Sequence, residues 1–256
     1  SSYEYRAAAI FDPLLAAALG RPATLTRDLV LEAGGQSWGA YASALIVMTP
    51  QVVVDLGVRR DEQRFRPRFR ASQGSPRVGI EYTPRADTTL RLSWGQLSQP
   101  QRPDELQVTD GEREFHAVQT ATQTVGAIEH HLSNDVSLRI EAFDKRMGSV
   151  QPGYENLLDP VTLLPEIEVD RVRVAPLSSR AYGAELSMRW EPRRTWSAWL
   201  SYSWSEVTDR FADSRALRTW DQRHAAVTGV SWTRGSWQLS GNAIWSRSLG
   251  IPKNHY

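Results

Sequence analysis

From residue 38 onward, apolar and polar residues change places one at a time. Trp38, Ala40, Ala42, Ala44, Ile46 and Met48 share one phase of a two-residue period. Val52, Val54, Leu56 and Val58 repeat it against Val53, Asp55, Gly57 and Arg59. Val78, Ile80 and Tyr82 stand against Arg77, Gly79 and Glu81, and Leu90, Leu92 and Trp94 against Arg91, Ser93 and Gly95. Val136, Leu138, Ile140 and Ala142 stand against Ser137, Arg139 and Glu141. The clearest run lies between residues 182 and 245. There Tyr182, Ala184, Leu186, Met188 and Trp190 oppose Gly183, Glu185, Ser187 and Arg189, and Trp196, Ala198, Leu200, Tyr202 and Trp204 oppose Ser197, Ser201 and Ser203. Successive side chains of a strand point to opposite faces, so this period means strands with one apolar and one polar face. The chain is therefore expected to be all-β.

The connections alternate in length. Short turns fall at residues 49–51, 83–87, 132–135, 191–194 and 233–236, rich in the proline, glycine, asparagine and aspartate that turns use. Long polar loops are expected at residues 60–76, 97–116, 146–178 and 206–219, the third with a small hairpin of its own near 166–174. In an antiparallel meander every second connection emerges at the same end. All short turns then lie at one end and all long loops at the other, as in an outer-membrane β-barrel. Sandwiches cross over in Greek keys and lack this asymmetry. The strands read as roughly nine to thirteen residues long, enough for a tilted strand to cross a bilayer. Residues 3–10 and 26–31 read as further strands, with a short helical turn at 13–19 between them that Gly20 closes. Residues 117–131 form the strand whose faces threonine and glutamine blur most. The expected architecture is an antiparallel up-and-down meander of about ten to twelve strands, part of a large transmembrane β-barrel.

Composition fits that architecture. Mean hydropathy is −0.44, and no apolar run is long enough for a helical span. Alternate residues suffice for a barrel wall, so this does not weigh against one. Eight of the ten tryptophans lie between Trp190 and Trp245, and tryptophan favours the membrane–water interface. A formal net charge of +1 offers no basis for a nucleic-acid partner. There is no cysteine, hence no disulfide framework and no thiolate ligand. Residues 1–6 lack the basic start and apolar core of an export signal. The expectation is a chain that is not exported or an internal piece of a longer one.

Arg59, Arg77, Glu81, Arg91, Arg139, Glu141, Glu185 and Arg189 all stand opposite apolar phases. In a dry core each would cost several kcal/mol if unpaired. On the wall of a wet lumen they can pair across neighbouring strands, and these eight are assigned to the lumen. The sharpest local feature is residues 64–70, where Arg64, Arg66, Arg68 and Arg70 alternate with Phe65, Pro67 and Phe69. Guanidinium suits carboxylate, phosphate and catecholate oxygens. One reading is capture of an anionic ligand at the barrel mouth. The other is a loop neutralised by Asp104, Glu105, Asp110, Glu112 and Glu114, or by lipopolysaccharide phosphates.

Several stretches resemble the barrel of TonB-dependent outer-membrane receptors. They are residues 75–84 (Ser-Pro-Arg-Val-Gly-Ile-Glu-Tyr-Thr-Pro), 93–95, 141–145, 182–186 and 220–224, the last reading Trp-Asp-Gln-Arg-His. Their order and spacing cover most of the chain from Trp38 onward. The resemblance implies a 22-stranded barrel with an N-terminal plug, importing siderophores, cobalamin or sugars with energy from the TonB complex. It places residues 1–256 at about strands seven to eighteen of that barrel. Plug, TonB box and last strands are then expected to lie outside this stretch. It also implies a bacterial outer-membrane location, with lipid, lipopolysaccharide, the TonB complex and a small ligand such as a ferric siderophore as partners.

No zinc-protease, nucleophile-elbow, phosphate-loop or dinucleotide motif is present. His130 and His131 are adjacent, so a strand sends them to opposite faces and they cannot readily share a metal. Trp220, Asp221, Arg223 and His224 read as anchors of a loop to a strand top. No catalytic residue, metal site or cofactor is expected. Two other functions remain open, a passive porin or protein-export barrel, and an outer-membrane barrel enzyme. The enzyme would need a serine–histidine pair with an acid or amide partner at one strand end.

Overall fold

The computed structural model describes residues 2–10, 13–18, 23–32, 34–66, 69–155, 171–193, 195–218 and 222–247. Strand β1 (Ser2–Ile10), helix α1 (Pro13–Ala18) and strand β2 (Thr24–Glu32) open the chain. β1 and β2 pair with each other in a two-stranded sheet of their own. The wall begins with β3 (Gly34–Thr49), β4 (Val52–Arg66), β5 (Phe69–Arg85) and β6 (Thr88–Gln99). It continues through β7 (Gln119–Ser133) and β8 (Val136–Gly148). A second two-stranded sheet follows, made of β9 (Gly153–Glu155) and β10 (Val172–Val174). The wall resumes with β11 (Ser178–Arg193), β12 (Trp196–Arg210), β14 (His224–Arg234) and β15 (Trp237–Arg247), while β13 (Arg215–Leu217) folds back onto β12.

These eleven strands form one antiparallel sheet in which each wall strand pairs with the next in sequence. That is the expected meander. The short turns do lie at one end. Backbone hydrogen bonds link each to its neighbour, from Thr83 to Gln51, His131 to Asp87, Glu191 to Asp135 and Thr233 to Thr195, at 2.7–2.8 Å. A register shift stands beside four of the five turns. The fifth is a two-residue loop whose first residue, Gly235, has φ +60°. A left-handed residue there matches the twist of a tight hairpin, and glycine adopts it without steric cost.

Register partners share a face, so the pairing tests the period-two reading directly. Trp204, Ala184, Ala142, Gly126, Leu92, Ile80, Val54 and Ile46 lie on one continuous row of partners across the sheet. Leu56, Val58, Leu90, Leu138, Ile140, Leu186, Met188, Leu200 and Leu239 share that face. Glu81, Arg91, Ala127, Glu141, Glu185 and Ser203 form a row on the other. A one-residue slip anywhere would have mixed the two sets.

On the apolar face, aromatic residues form two belts. Trp237, Trp196, Trp232, Trp190 and Tyr82 lie toward the short turns, and Trp245, Trp204, Tyr182, Trp94 and Trp38 toward the other end. Relative to the register rows, both belts climb from β15 toward β3, the direction set by strand tilt in a barrel wall. Along β12, the eight steps from Trp196 to Trp204 span about 26 Å at ~3.3 Å each. With a tilt of ~40° that is about 20 Å of height, close to a barrel's lipid-facing band.

Two expectations need correction. Residues 60–76 are not a loop. β4 and β5 stay paired out to Phe65 and Phe69, so the arginine-rich segment is the far end of a long hairpin. Wall strands accordingly reach 17 residues in β5 rather than thirteen. The small hairpin in the 146–178 connection has its arms at 153–155 and 172–174, not within 166–174. Residues 156–170, 219–221 and 248–256 lie outside the described residues, and with them Trp220 and Asp221.

Candidate functional site

At the long-loop end, the polar face of the wall is covered. Gln63 and Phe65 of β4, Ala121 of β7, Met147 of β8, Ser179 of β11 and Asp209 of β12 are buried. All six belong to the polar-face phase. The loops therefore fold over that face and leave the apolar one bare.

The β6–β7 connection does most of the covering. It contains two 3₁₀ turns, Pro103–Glu105 and Val108–Asp110. Its Leu106 and Val108 pack with Leu29 of β2, against Tyr5 and Phe115. The Phe115 ring sits 5.1 Å from Phe65 and 5.6 Å from Phe69. The phenylalanines of the hairpin tip thus face the loop, and its arginines face away.

Behind this apolar pin lies a cavity of about 470 Å³, lined by Arg27, Asp110, Gly111, Glu112, Arg113, Glu114, His116, Tyr154, Arg171 and Arg173. Four separate segments supply it. Gly111 has φ +90° and turns the backbone so that Asp110 and Glu112 both reach inward. The Asp110 side chain is 1% exposed. Arg171 grips it with two hydrogen bonds, one from Nε at 3.0 Å, and Arg27 adds a contact at 3.8 Å. Tyr154 Oη donates to Glu112 Oε1 at 2.8 Å, and His116 Nε2 lies 2.6 Å from the same oxygen. Burial, with the Glu112 carboxylate beside it, pushes the Tyr154 phenol up to about 12. The cavity's two most buried acids are thus engaged by partners from this chain, and a visiting molecule meets Arg113 and Arg173, with Glu114 as the remaining acid of the lining. Sequence reasoning missed Arg27, His116, Tyr154, Arg171 and Arg173. Nothing local marks them, because they converge from segments up to 146 positions apart.

Four of the five acids expected to neutralise the arginine segment have other partners, Glu105 among them through the Arg102 N–H. Asp104 pairs with Arg102, Asp110 with Arg171 and Arg27, and Glu112 with His116 and Tyr154. Arg64, Arg66 and Arg70 lie on the apolar-face phase beyond Leu56 and Val58, away from the cavity, and Arg68 lies outside the described residues.

The eight charged residues assigned to the lumen lie together on the polar face, and each has a partner. Arg91 bridges Glu81 and Glu129, both at 2.8 Å, and Arg139 continues the ladder to Glu141 at 2.6 Å. Arg59 pairs with Asp61, Arg77 with Asp55 and Arg189 with Glu191, at 2.7, 3.8 and 3.1 Å. Glu185 accepts from Ser201 at 2.9 Å. His130 hydrogen-bonds Thr88, while His131 stands 3.9 Å from Glu129 on the other face. Among the described residues no cluster of three metal-ligating side chains occurs. Arg223 pairs with Glu206 at 3.0 Å, and His224 Nδ1 lies 2.8 Å from the Tyr202 hydroxyl, so both tie the β13–β14 connection to β12.

A long meander with an apolar band between aromatic belts, a paired polar face and loops folded over one end defines a wall of an outer-membrane β-barrel. Residues 2–252 match the family described as TonB dependent receptor-like, beta-barrel, and the chain belongs to that family. It is part of an outer-membrane β-barrel of that receptor family. Among solved structures, it is similar to the ferripyoverdine receptor of the outer membrane of Pseudomonas aeruginosa bound to ferripyoverdine, with 16% identity and TM-score 0.63 over 87% of this chain and 29% of that one. It is similar to the alcaligin outer-membrane receptor FauA from Bordetella pertussis, with 15% identity and TM-score 0.56 over 84% and 38%. The copper transporter OprC gives 13% identity and TM-score 0.66 over 94% and 39%. At these identities the likeness is one of fold. The chain spans about three tenths to two fifths of the length of these proteins. No curated protein sequence matches it.

Proposed function

We propose that this chain lines the lumen and part of the outer mouth of an active importer of a small anionic nutrient, such as a ferric siderophore, energised by the TonB complex. The observation that carries the reading is the cavity at the covered end of the polar face. Its buried acids are engaged internally, which leaves guanidinium groups of Arg113 and Arg173 for carboxylate, hydroxamate or catecholate oxygens. Arg59, Arg77, Glu81, Arg91, Arg139, Glu141, Glu185 and Arg189 line the lumen below it, where pairing within the wall lets the charges stand in a wet channel without attracting every passing ion. Arg64, Arg66 and Arg70 take no part in capture, because they face the other way. Two of the similar structures are receptors named for ferripyoverdine and for alcaligin, which supports a small ligand of that kind.

The test uses the complete receptor in outer membranes and a panel of ferric siderophores. Replacing Arg113 and Arg173 by Ala should weaken binding by about 1–3 kcal/mol for each charge-assisted hydrogen bond that the substitution removes. Unchanged affinity across the panel would remove the cavity from ligand capture. Uptake that persists undiminished in cells without TonB would favour the passive porin.

A further inference from the structure

Toward its covered end, the polar face of the wall is lined by side-chain amides. Gln99 of β6 and Gln119 of β7 are direct register partners, and Gln73 of β5 is the partner of Asp61 on β4. Gln63 stands one step beyond Asp61 on the same face. The adjoining connections add Gln101 and Gln151. Arg59 holds Asp61 at 2.7 Å, so the amides rather than that carboxylate set the chemistry here.

This glutamine layer is continuous with the mouth cavity. Gln101 Oε1 accepts from the His116 backbone N–H at 2.8 Å, and His116 lines the cavity. Gln119 Oε1 accepts from the Gln151 backbone N–H at 3.4 Å, three residues before Tyr154 of the same lining. A molecule held in the cavity therefore has amides next to it.

Two of these amides are incomplete. Gln63 is 5% exposed, although its register neighbours Ser37 and Ala71 are small, so the fold of the mouth is what buries it. Gln63 Oε1 and Gln151 Nε2 are both buried, and neither has a hydrogen-bond partner among the described residues. Buried polar groups in folded proteins are paired, and a bare one calls for a partner from outside the chain. One of these groups accepts and the other donates. The guest that answers both carries an N–H and a C=O. A peptide amide holds the two in one rigid plane, and a side-chain amide pairs with it as acceptor and as donor. An anion without N–H groups answers only Gln151.

We propose that the glutamine layer is a second subsite, which binds the backbone amides of a peptide-like ligand whose anionic end is held by Arg113 and Arg173. Gln63 accepts from a ligand N–H, and Gln151 donates to a ligand carbonyl. The anionic half of this proposal rests on capture at the cavity, and the amide half does not.

The experiment titrates the complete receptor in lipid nanodiscs, by calorimetry, with N-acetyl-triglycine, its depsipeptide analogue, N-acetyl-triglycinamide and succinate. The depsipeptide has ester oxygens in place of the N–H groups and keeps the carboxylate. Wild type should bind N-acetyl-triglycine about tenfold more tightly than the depsipeptide, the factor that roughly one hydrogen bond supplies. The Q63L/Q151L variant should lose that preference and bind succinate as wild type does. The R113A/R173A variant should bind peptide, depsipeptide and succinate more weakly, with the preference for the peptide kept. Equal binding of peptide and depsipeptide by wild type would overturn the proposal, and that arm needs no variant to fold. An undiminished preference in folded Q63L/Q151L would overturn it too. If succinate fails to bind while the neutral N-acetyl-triglycinamide binds, the arginines are removed from capture and the amide subsite stands.

Discussion

The wall between the two aromatic belts and the covered end above it are built by different physics. In the wall, each residue's surroundings follow from its parity along a strand and from the register of two neighbours. Leu200 faces lipid because it is an even step from Trp196 and Trp204 on β12. At the covered end, Asp110 is buried because Arg171, 61 positions away, returns to meet it. The wall tolerates any apolar residue on the right phase. The mouth depends on individual side chains, and so is the part free to differ in what it binds.

The largest expected effect separates the two regions along one strand. Leu200→Arg, midway between the belts, should destabilise the folded barrel by about 2–4 kcal/mol, whereas Thr208→Arg on the same face above the upper belt should cost about 1 kcal/mol or less. Reversible unfolding from lipid vesicles measures both. Equal costs would mean that the belts do not mark the edges of the lipid band.

Removing the pin of the mouth should act locally. Phe115→Ala deletes the ring packing against Phe65 and Phe69. It should loosen the 100–118 connection by about 1–3 kcal/mol, less than a fully buried phenylalanine. Limited proteolysis in this loop should quicken, while insertion and the wall's unfolding midpoint stay unchanged. A fall in barrel yield would show that mouth and wall fold as one unit.

A smaller effect is expected from the charge ladder. Glu129→Gln leaves Arg91 with Glu81 and Arg139 with Glu141, all on a wetted face. The cost should be about 1 kcal/mol or less and should shrink further in high salt. A loss of several kcal/mol would mean that the polar face is dry, against its assignment to the lumen.

The smallest effect is spectroscopic. Tyr154 keeps its proton up to about pH 12 because burial and Glu112 disfavour the phenolate. Once unfolded it releases the proton near pH 10. Its contribution to local stability is therefore fully present below pH 10 and is lost as pH rises through about 12. Difference absorbance between wild type and Tyr154→Phe should show one tyrosine ionising later than an exposed one, and Glu112→Gln should bring it earlier. Titration near pH 10 in the native protein would place Tyr154 outside the Glu112 network.

How much of this was legible in the sequence follows the same division. Period two determined the strands, their two faces and the single end for the short turns, because parity is a local property that only a register slip could undo. That Arg91 and Glu81 stand on one face, where they pair, was legible in the same way, whereas Glu129 lies on the strand whose faces the sequence blurs. The arginines at 64–70 were legible as a stripe, but not as a strand or as an outward one. Polar composition reads as loop, and only the pairing of Phe65 with Phe69 carries the face alternation up from Val58. The cavity was not legible at all. Arg27, Tyr154 and Arg171 lie in unremarkable segments, and their convergence on Asp110 and Glu112 depends on how two connections of unequal length fold across each other and against β2. Alternation along a strand is written residue by residue, so the sequence alone determined the barrel wall. Contacts between loops are chosen by packing, charge and chain closure together, so only the tertiary structure decided the mouth.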